Sequence, residues 1–471
     1  MTSALTIEHK TDGFAWRPSA AEPKSIAHRF ALLCVWTAVA SGFFVFSEPA
    51  PIDALTMGLF ILLPVVGLFD PNRKIVAGLA LWLVVATFTV ISCAVSRDVD
   101  TAAAHSFVTF YLYGACFLFA GFVSKNPYPH TRLMLHAYFV ASIAAAALGI
   151  AGYLDLFPGA FELLTLYGRG SGTFKDPNVL GPFLIPGLLV ALHLFLVRPL
   201  RQGVLPLLAA SLITLAILFT FSRGAWAATG IALAIYCYVY LHSAEHKAQQ
   251  VKLAGLVLIG TVLLGLILAI AVQSDGVSDL LEQRAALTQP YDEGPDGRFG
   301  GQIKAIGLIL ENPLGIGAQA FTTFYHHEEA HNVYLSLFMS AGWMGGLLYI
   351  FICAGTLAFG FQHALRRTKT QHYFVIAYAA LAGNIIEGCL IDTDHWRHFY
   401  LLMGIVWGLM ASDRRIISGA TRPLKHHIPI APSPKRANRI LGHVTTGTRM
   451  ASTPQRAEAR TRHGRILGGF Q

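Results

Sequence analysis

Charge is what this 471-residue sequence has least of: 13% of its residues are Asp, Glu, Lys or Arg, against 54% hydrophobic ones. A soluble globular protein needs about a quarter of its residues charged, so that class is excluded. Cysteine is sparse as well. The six, Cys34, Cys93, Cys116, Cys237, Cys353 and Cys389, all lie in apolar runs and form no C-x-x-C pair. That argues against a disulfide framework and against a cysteine-based metal site. The first 28 residues lack an apolar stretch, so no cleavable signal is expected and the first apolar run must act as an uncleaved anchor. An internal repeat, common in inverted-repeat transporters, is also missing.

What is present is a succession of long apolar runs. They lie near 30–50, 51–70, 75–95, 103–124, 133–156, 179–197, 203–221, 224–241, 252–273, 333–361, 372–391 and 398–411. About 20 apolar residues cross a ~30 Å hydrocarbon layer. Backbone groups in lipid must be paired within the chain, which leaves helices. The expected fold is therefore all-α, a polytopic integral membrane protein with about 12 transmembrane helices. Arg73-Lys74, Lys125 and Arg132, Arg198 and Arg201, Lys247 and Lys252, and Arg366-Arg367-Lys369 occupy every second loop. Basic loops mark the cytoplasmic side, and an even span number puts both termini there. The expected divisions are a cytoplasmic segment 1–28, a membrane domain 29–411 and a tail 412–471. The tail holds 12 Lys and Arg against Asp413 and Glu458, a net of +10, which leaves the rest of the chain near neutrality. Rich in Pro, Ser and Thr, it reads as a disordered anchor to anionic lipid, not as a nucleic-acid fold.

Eight basic residues fall on the opposite, outer side: Arg97, Arg169, Lys175, Arg223, Arg284, Arg298, Lys304 and Arg397. Arg169 and Lys175 flank Gly170-Ser171-Gly172-Thr173, Arg223 sits in Ser222-Arg223-Gly224, and Arg298 follows Gly297 in the longest outer loop. Cations gathered there suit a substrate carrying phosphate. Arg97, Arg284, Lys304 and Arg397 carry no expectation beyond surface charge.

Each segment has two readings. Asp176-Pro177 suits the N-cap and first turn of the sixth span, while the glycines before it would let a backbone approach an anion. Arg223 either snorkels from a span end, with Trp226 at the same level, or is a held ionisable group with a function. The outer loop at about 274–332, before the tenth span, is far longer than a connector needs. Within it Phe299, Ile303, Ile306 and Leu310 keep helical spacing, which predicts an amphipathic helix along the outer surface. Glu311-Asn312-Pro313-Leu314-Gly315-Ile316-Gly317 ends that helix. His327-Glu328-Glu329-Ala330-His331 matches H-E-x-x-H, in which two histidines bind zinc and the glutamate is a base, with Asp392, Asp394 or His395 as third ligand. The other reading begins a separate motif at His331-Asn332-Val333-Tyr334-Leu335 and leaves one near-neutral base at a helix start. Glu387, deep in the eleventh run, reads as a hydrogen-bonded bundle residue.

The motifs come in the order Arg169/Gly172-Phe174/Pro177-Asn178, Thr220-x-Ser222-Arg223-Gly224, Arg298 with Asn312-Pro313-Leu314-Gly315-x-Gly317, then His331-Asn332-x-Tyr334-Leu335 with Gly342-x-x-Gly345. This order resembles the O-antigen ligase and polymerase superfamily of bacterial inner-membrane enzymes. The resemblance covers about 160–360, and span number extends it across 30–411. It implies transfer of a glycan from a polyprenyl-diphosphate carrier to an acceptor hydroxyl at the periplasmic face. By that resemblance Arg223 and Arg298 hold the departing diphosphate, with Arg169, Lys175 and Asn178 in support. His331 would activate the acceptor, assisted by Asn332 and Tyr334. Guanidinium forks carry leaving charge without a metal, so neither metal nor cofactor is expected. The implied partners are the lipid-linked donor, a glycan or lipid A-core acceptor and the bilayer. Ligase and polymerase readings share the donor and differ in the acceptor. Two other classes compete: a polytopic zinc metalloprotease using the HEEAH string, and a lipid-linked glycan transporter, which would line its spans with charge. Asp392-Thr393-Asp394-His395 either holds the acceptor or is a solvated turn.

Overall fold

Apolar sequence whose every backbone N–H and C=O must find a partner favours helices, and the computed structural model is built from them. It describes residues 25–243, 247–271, 294 and 297–420. The expectations on the segment before Ser25, on Arg284 and on the tail beyond Ala420 lie outside these residues. In chain order the helices are α1 (Ile26–Ala40), α2 (Pro51–Val65), α3 (Arg73–Ala94), α4 (Val99–Lys125), α5 (Pro127–Tyr153), α6 (Ala160–Leu164), α7 (Pro177–Val197), α8 (Leu200–Phe219) and α9 (Arg223–Ser243). They continue with α10 (Lys247–Ala271), α11 (Arg298–Glu311), α12 (Ala320–Phe324), α13 (Val333–Ala364), α14 (Gln371–Glu387) and α15 (Arg397–Ala420). A short antiparallel pair, β1 (Thr165–Leu166) and β2 (Arg169–Gly170), precedes α7.

Each of the twelve apolar runs coincides with one helix. Eight helices among the described residues are long and apolar enough to cross a membrane, so the protein is an all-α polytopic membrane protein. The expected count of about twelve spans is not reached on that measure. For two of the four that fall short the reason is length: α2 has 15 residues and α14 has 17, short of the ~20 that a 1.5 Å rise per residue requires. At the centre runs α7, packed on by α5, α8, α9 and α14, while α4 lies on α15 and α3 on α13. Large apolar side chains such as Ile61, Leu205 and Phe351 remain exposed on the outside, the pattern of a bundle whose surroundings are lipid.

The helix expected in the long loop is α11. Its stripe of Phe299, Ile303, Ile306 and Leu310 is exposed, and its small residues Gly301 and Ala305 face the protein. What fixes α11 is a break in α13. Gly342 takes φ 64°, outside the helical region, which interrupts the hydrogen-bond ladder there. The Met339 carbonyl accepts from Ile316 N–H (2.8 Å), and Trp343 N–H donates to the Pro313 carbonyl (2.9 Å). A Cβ at 342 would lie 2.7 Å from that carbonyl oxygen. The breaker string after α11 is thereby clamped to α13, and the start of α11 is held near the start of α13.

Candidate active site

A helix leaves its last carbonyls without partners inside it. At the end of α14 those acceptors are taken by residues from elsewhere. The Ile385 carbonyl accepts from Tyr334 Oη (2.7 Å) and the Cys389 carbonyl from Asn332 Nδ2 (3.2 Å). The Leu390 carbonyl accepts from Arg298 Nη2 (2.7 Å), and the Gly388 carbonyl from Val333 N–H (2.9 Å). The negative end of the helix dipole suits the arginine. One turn of chain thus joins Arg298 to the His331 motif.

Asn332 has a second task. Its Oδ1 accepts from Tyr334 N–H (3.1 Å) and Leu335 N–H (3.3 Å), which caps α13. His331, directly before the cap, has φ 48°, a left-handed conformation that costs an L-residue roughly 1–2 kcal/mol and clusters at functional sites. Its Nε2 lies 3.7 Å from Glu328 Oε2. Burial, then the charge of Arg298, holds this imidazole below its ordinary value, while Glu328, Glu329 and Asp176 pull the other way. At neutral pH it is therefore uncharged, as a base must be.

Arg223 opens α9 behind the tight turn Thr220-Phe221-Ser222, where Phe221 has φ 47° and Ser222 Oγ accepts from Ala225 N–H (3.2 Å). Buried Arg169 ties this turn to the start of α7: its Nε donates to the Thr220 carbonyl (2.8 Å) and its Nη2 to Asn178 Oδ1 (2.8 Å). Asp176 caps α7 by accepting from Asn178 N–H (2.7 Å). In the glycine stretch, Ser171 and Gly172 N–H both donate to the Leu164 carbonyl, so those two groups serve the fold and are not turned to an anion.

Lys175 faces another way. It pairs with Glu48 Oε2 at 2.9 Å, and Glu48 also meets Arg397 Nη1 at 3.6 Å. Arg397 forks onto Asp53 with two bonds of 2.8 Å. This cluster borders an apolar cavity of about 190 Å³ with Ile52, Phe174 and Phe183 on its wall. Arg397, expected to be plain surface charge, is a largely buried structural cation. The missed signal was Asp53, a carboxylate inside an apolar run, which needs a partner. Glu387 also departs from expectation. It is buried, and neither carboxyl oxygen has a hydrogen-bond partner among the described residues. It packs on Gly224 so closely that a Cβ there would come within 2.8 Å of Oε1.

The HEEAH string is not helical: residues 326–332 form irregular chain. Glu328 lies between His327 (3.9 Å) and His331 (3.7 Å). Among the described residues, the group of His and acidic side chains close enough to share an ion is His105, Asp394 and His395, without His327 or His331. The zinc reading thus loses the one-turn spacing on which it rested.

Residues 208–350 match the family model described as O-antigen ligase. No curated protein matches the chain. The matched stretch runs from α8 into α13 and contains Arg223, Arg298, His331, Asn332 and Tyr334, while Arg169, Lys175 and Asn178 precede it. It lends nothing to the protease or to the transporter. The resemblance seen in the motifs is borne out over that stretch: through residues 208–350 this multi-pass membrane protein is similar to the O-antigen ligases.

Proposed function

We propose that the protein transfers a glycan from a polyprenyl-diphosphate carrier to an acceptor hydroxyl at the periplasmic face of the bacterial inner membrane, with both termini in the cytoplasm. The acceptor oxygen forms a bond to the anomeric carbon as the bond from that carbon to the diphosphate breaks. The electron pair leaves with the diphosphate, whose added charge Arg298 and Arg223 stabilise by bidentate hydrogen bonding. The acceptor proton passes to His331. Arg169 and Asn178 hold the Arg223 turn, and Asn332 and Tyr334 hold the His331 turn. Guanidinium groups supply the positive charge, so the reaction as read needs no metal.

The observation that carries this reading is the convergence of Arg298 and the His331 motif on the carbonyls that end α14. A fixed cation beside a neutral imidazole is what separating a leaving anion from an arriving hydroxyl requires. Lys175, paired with Glu48, acts only from the rim on this reading. The test is turnover of a polyprenyl-diphosphate glycan by purified protein. His331→Ala, Arg223→Ala and Arg298→Ala should each abolish transfer in protein that still inserts and folds, and EDTA should leave the wild-type rate unchanged. Normal turnover by any of these variants removes that residue from the mechanism, and loss with EDTA removes the metal-free reading.

A further inference from the structure

Beside His331 lies a second cavity of opposite electrostatic character. A cleft of about 270 Å³ opens between Glu329, Ser336, Asp392, Asp394 and Trp396, with His105 and His395 on its wall. Glu329 links it to the site described above, because its charge acts on His331 and also on Asp392 and His395. Ser336 Oγ donates to Asp392 Oδ1 (2.5 Å), while Oδ2 is out of contact with water and has no hydrogen-bond partner among the described residues. Burial and the neighbouring Glu329 and Asp394 carboxylates push the Asp392 carboxyl well above the usual range. That shift favours the protonated form of Asp392, in which the carboxyl can donate as well as accept.

We propose that this cleft holds the acceptor saccharide, and that the saccharide it takes is neutral or amine-bearing, not phosphorylated or acidic. The inference rests on the glycosyl-transfer reading with His331 as base. A sugar presents hydroxyls that both donate and accept at short range, and the cleft offers donors and acceptors side by side with an indole at one edge. The Glu329 and Asp394 carboxyl groups in so small a space disfavour a further anion. Arg298, bonded to the Leu390 carbonyl two residues before Asp392, favours one. Charge thus sorts donor from acceptor: the diphosphate is drawn to Arg223 and Arg298 and kept out of the cleft.

A bound cation is the competing occupant, since His105, Asp394 and His395 place ligand atoms within 4.8 Å of one another. Two features weigh against it. The His105 and His395 rings are stacked, 3.9 Å apart and 23° from parallel, whereas one ion is bound along the nitrogen lone pairs in the plane of each ring. His395 Nε2 is already within 2.8 Å of Thr109 Oγ1.

The test uses the full chain in lipid nanodiscs and three soluble tetrasaccharides: a neutral maltotetraose, an amine-bearing glucosamine tetramer and an acidic tetragalacturonate. Saturation-transfer NMR should show the first two binding and the third at least tenfold weaker. In Glu329→Gln/Asp394→Asn that gap should shrink severalfold, with affinity for the polyprenyl-diphosphate donor unchanged. Equal binding of the acidic probe, binding of none of the three, or stoichiometric Mn²⁺ binding that displaces the sugars would each overturn the proposal. His331→Ala separates the two levels. If it binds the probes with this selectivity yet transfers normally, the transfer reading fails and the saccharide cleft stands; if it is inactive and selectivity is absent, only the cleft fails.

Discussion

Replacing Asn332 separates a residue that builds the site from one that touches substrate. Its Oδ1 caps α13 through two backbone N–H groups and its Nδ2 donates to the Cys389 carbonyl. Loss of an N-cap costs about 1 kcal/mol, and loss of a hydrogen bond that joins two elements about 1 kcal/mol more. Asn332→Ala should therefore destabilise the His331 turn by about 2 kcal/mol, on the order of a 30-fold rise in the frayed population. Asn332→Ser keeps a capping oxygen but cannot span to Cys389, so about half of that loss should return. Hydrogen exchange at the amides of 333–336 reads the fraying, and transfer per folded molecule reads the consequence. In Ala, exchange should accelerate and transfer fall together; in Ser both should recover in part. If Ser is as inactive as Ala while its amides stay as protected as in the wild type, the side chain acts on substrate directly and the capping argument is wrong.

Three further outcomes are expected. Burial and Arg298 both depress the His331 pKa, so activity should rise with pH through a value below 6.5; Arg298→Gln removes one cause, and the His331 titration followed by NMR should move to higher pH. Gly342→Ala places a Cβ 2.7 Å from a backbone carbonyl at φ 64°, where left-handed strain alone costs roughly 1–2 kcal/mol; exchange in 313–317 should speed up and transfer should drop at least severalfold. Arg397→Met leaves Asp53 without its fork, and since both side chains keep some exposure the loss should be about 2–3 kcal/mol, below the ~3–5 kcal/mol of a fully buried pair; a lowered thermal midpoint with the catalytic residues intact is the readout.

Much of the architecture was legible because lipid imposes a local rule. A run that must pair its own backbone becomes a helix wherever it sits, and all twelve apolar runs did so. Caps are local as well: Asp176 was read as the start of α7 from its own side chain and the proline after it, and it caps that helix. The amphipathic α11 followed from spacing alone. How many helices cross was not legible, because hydropathy does not say where a helix stops, and α2 and α14 stop early.

The tertiary structure decided which residues meet. Arg397 and Asp53 are 344 positions apart, and no periodicity reports such a pairing. Arg298 and the His331 motif are joined only because the unpaired carbonyls of α14 lie between them, and the breaker string at 312–317 has a role only where α13 opens at Gly342. Lys175 and Arg169 flank one short stretch, yet that stretch turns one to Glu48 and the other to Thr220. Composition and spacing act over a few turns of chain and determine the elements; charge pairing and carbonyl satisfaction act across the fold, and they determined the site.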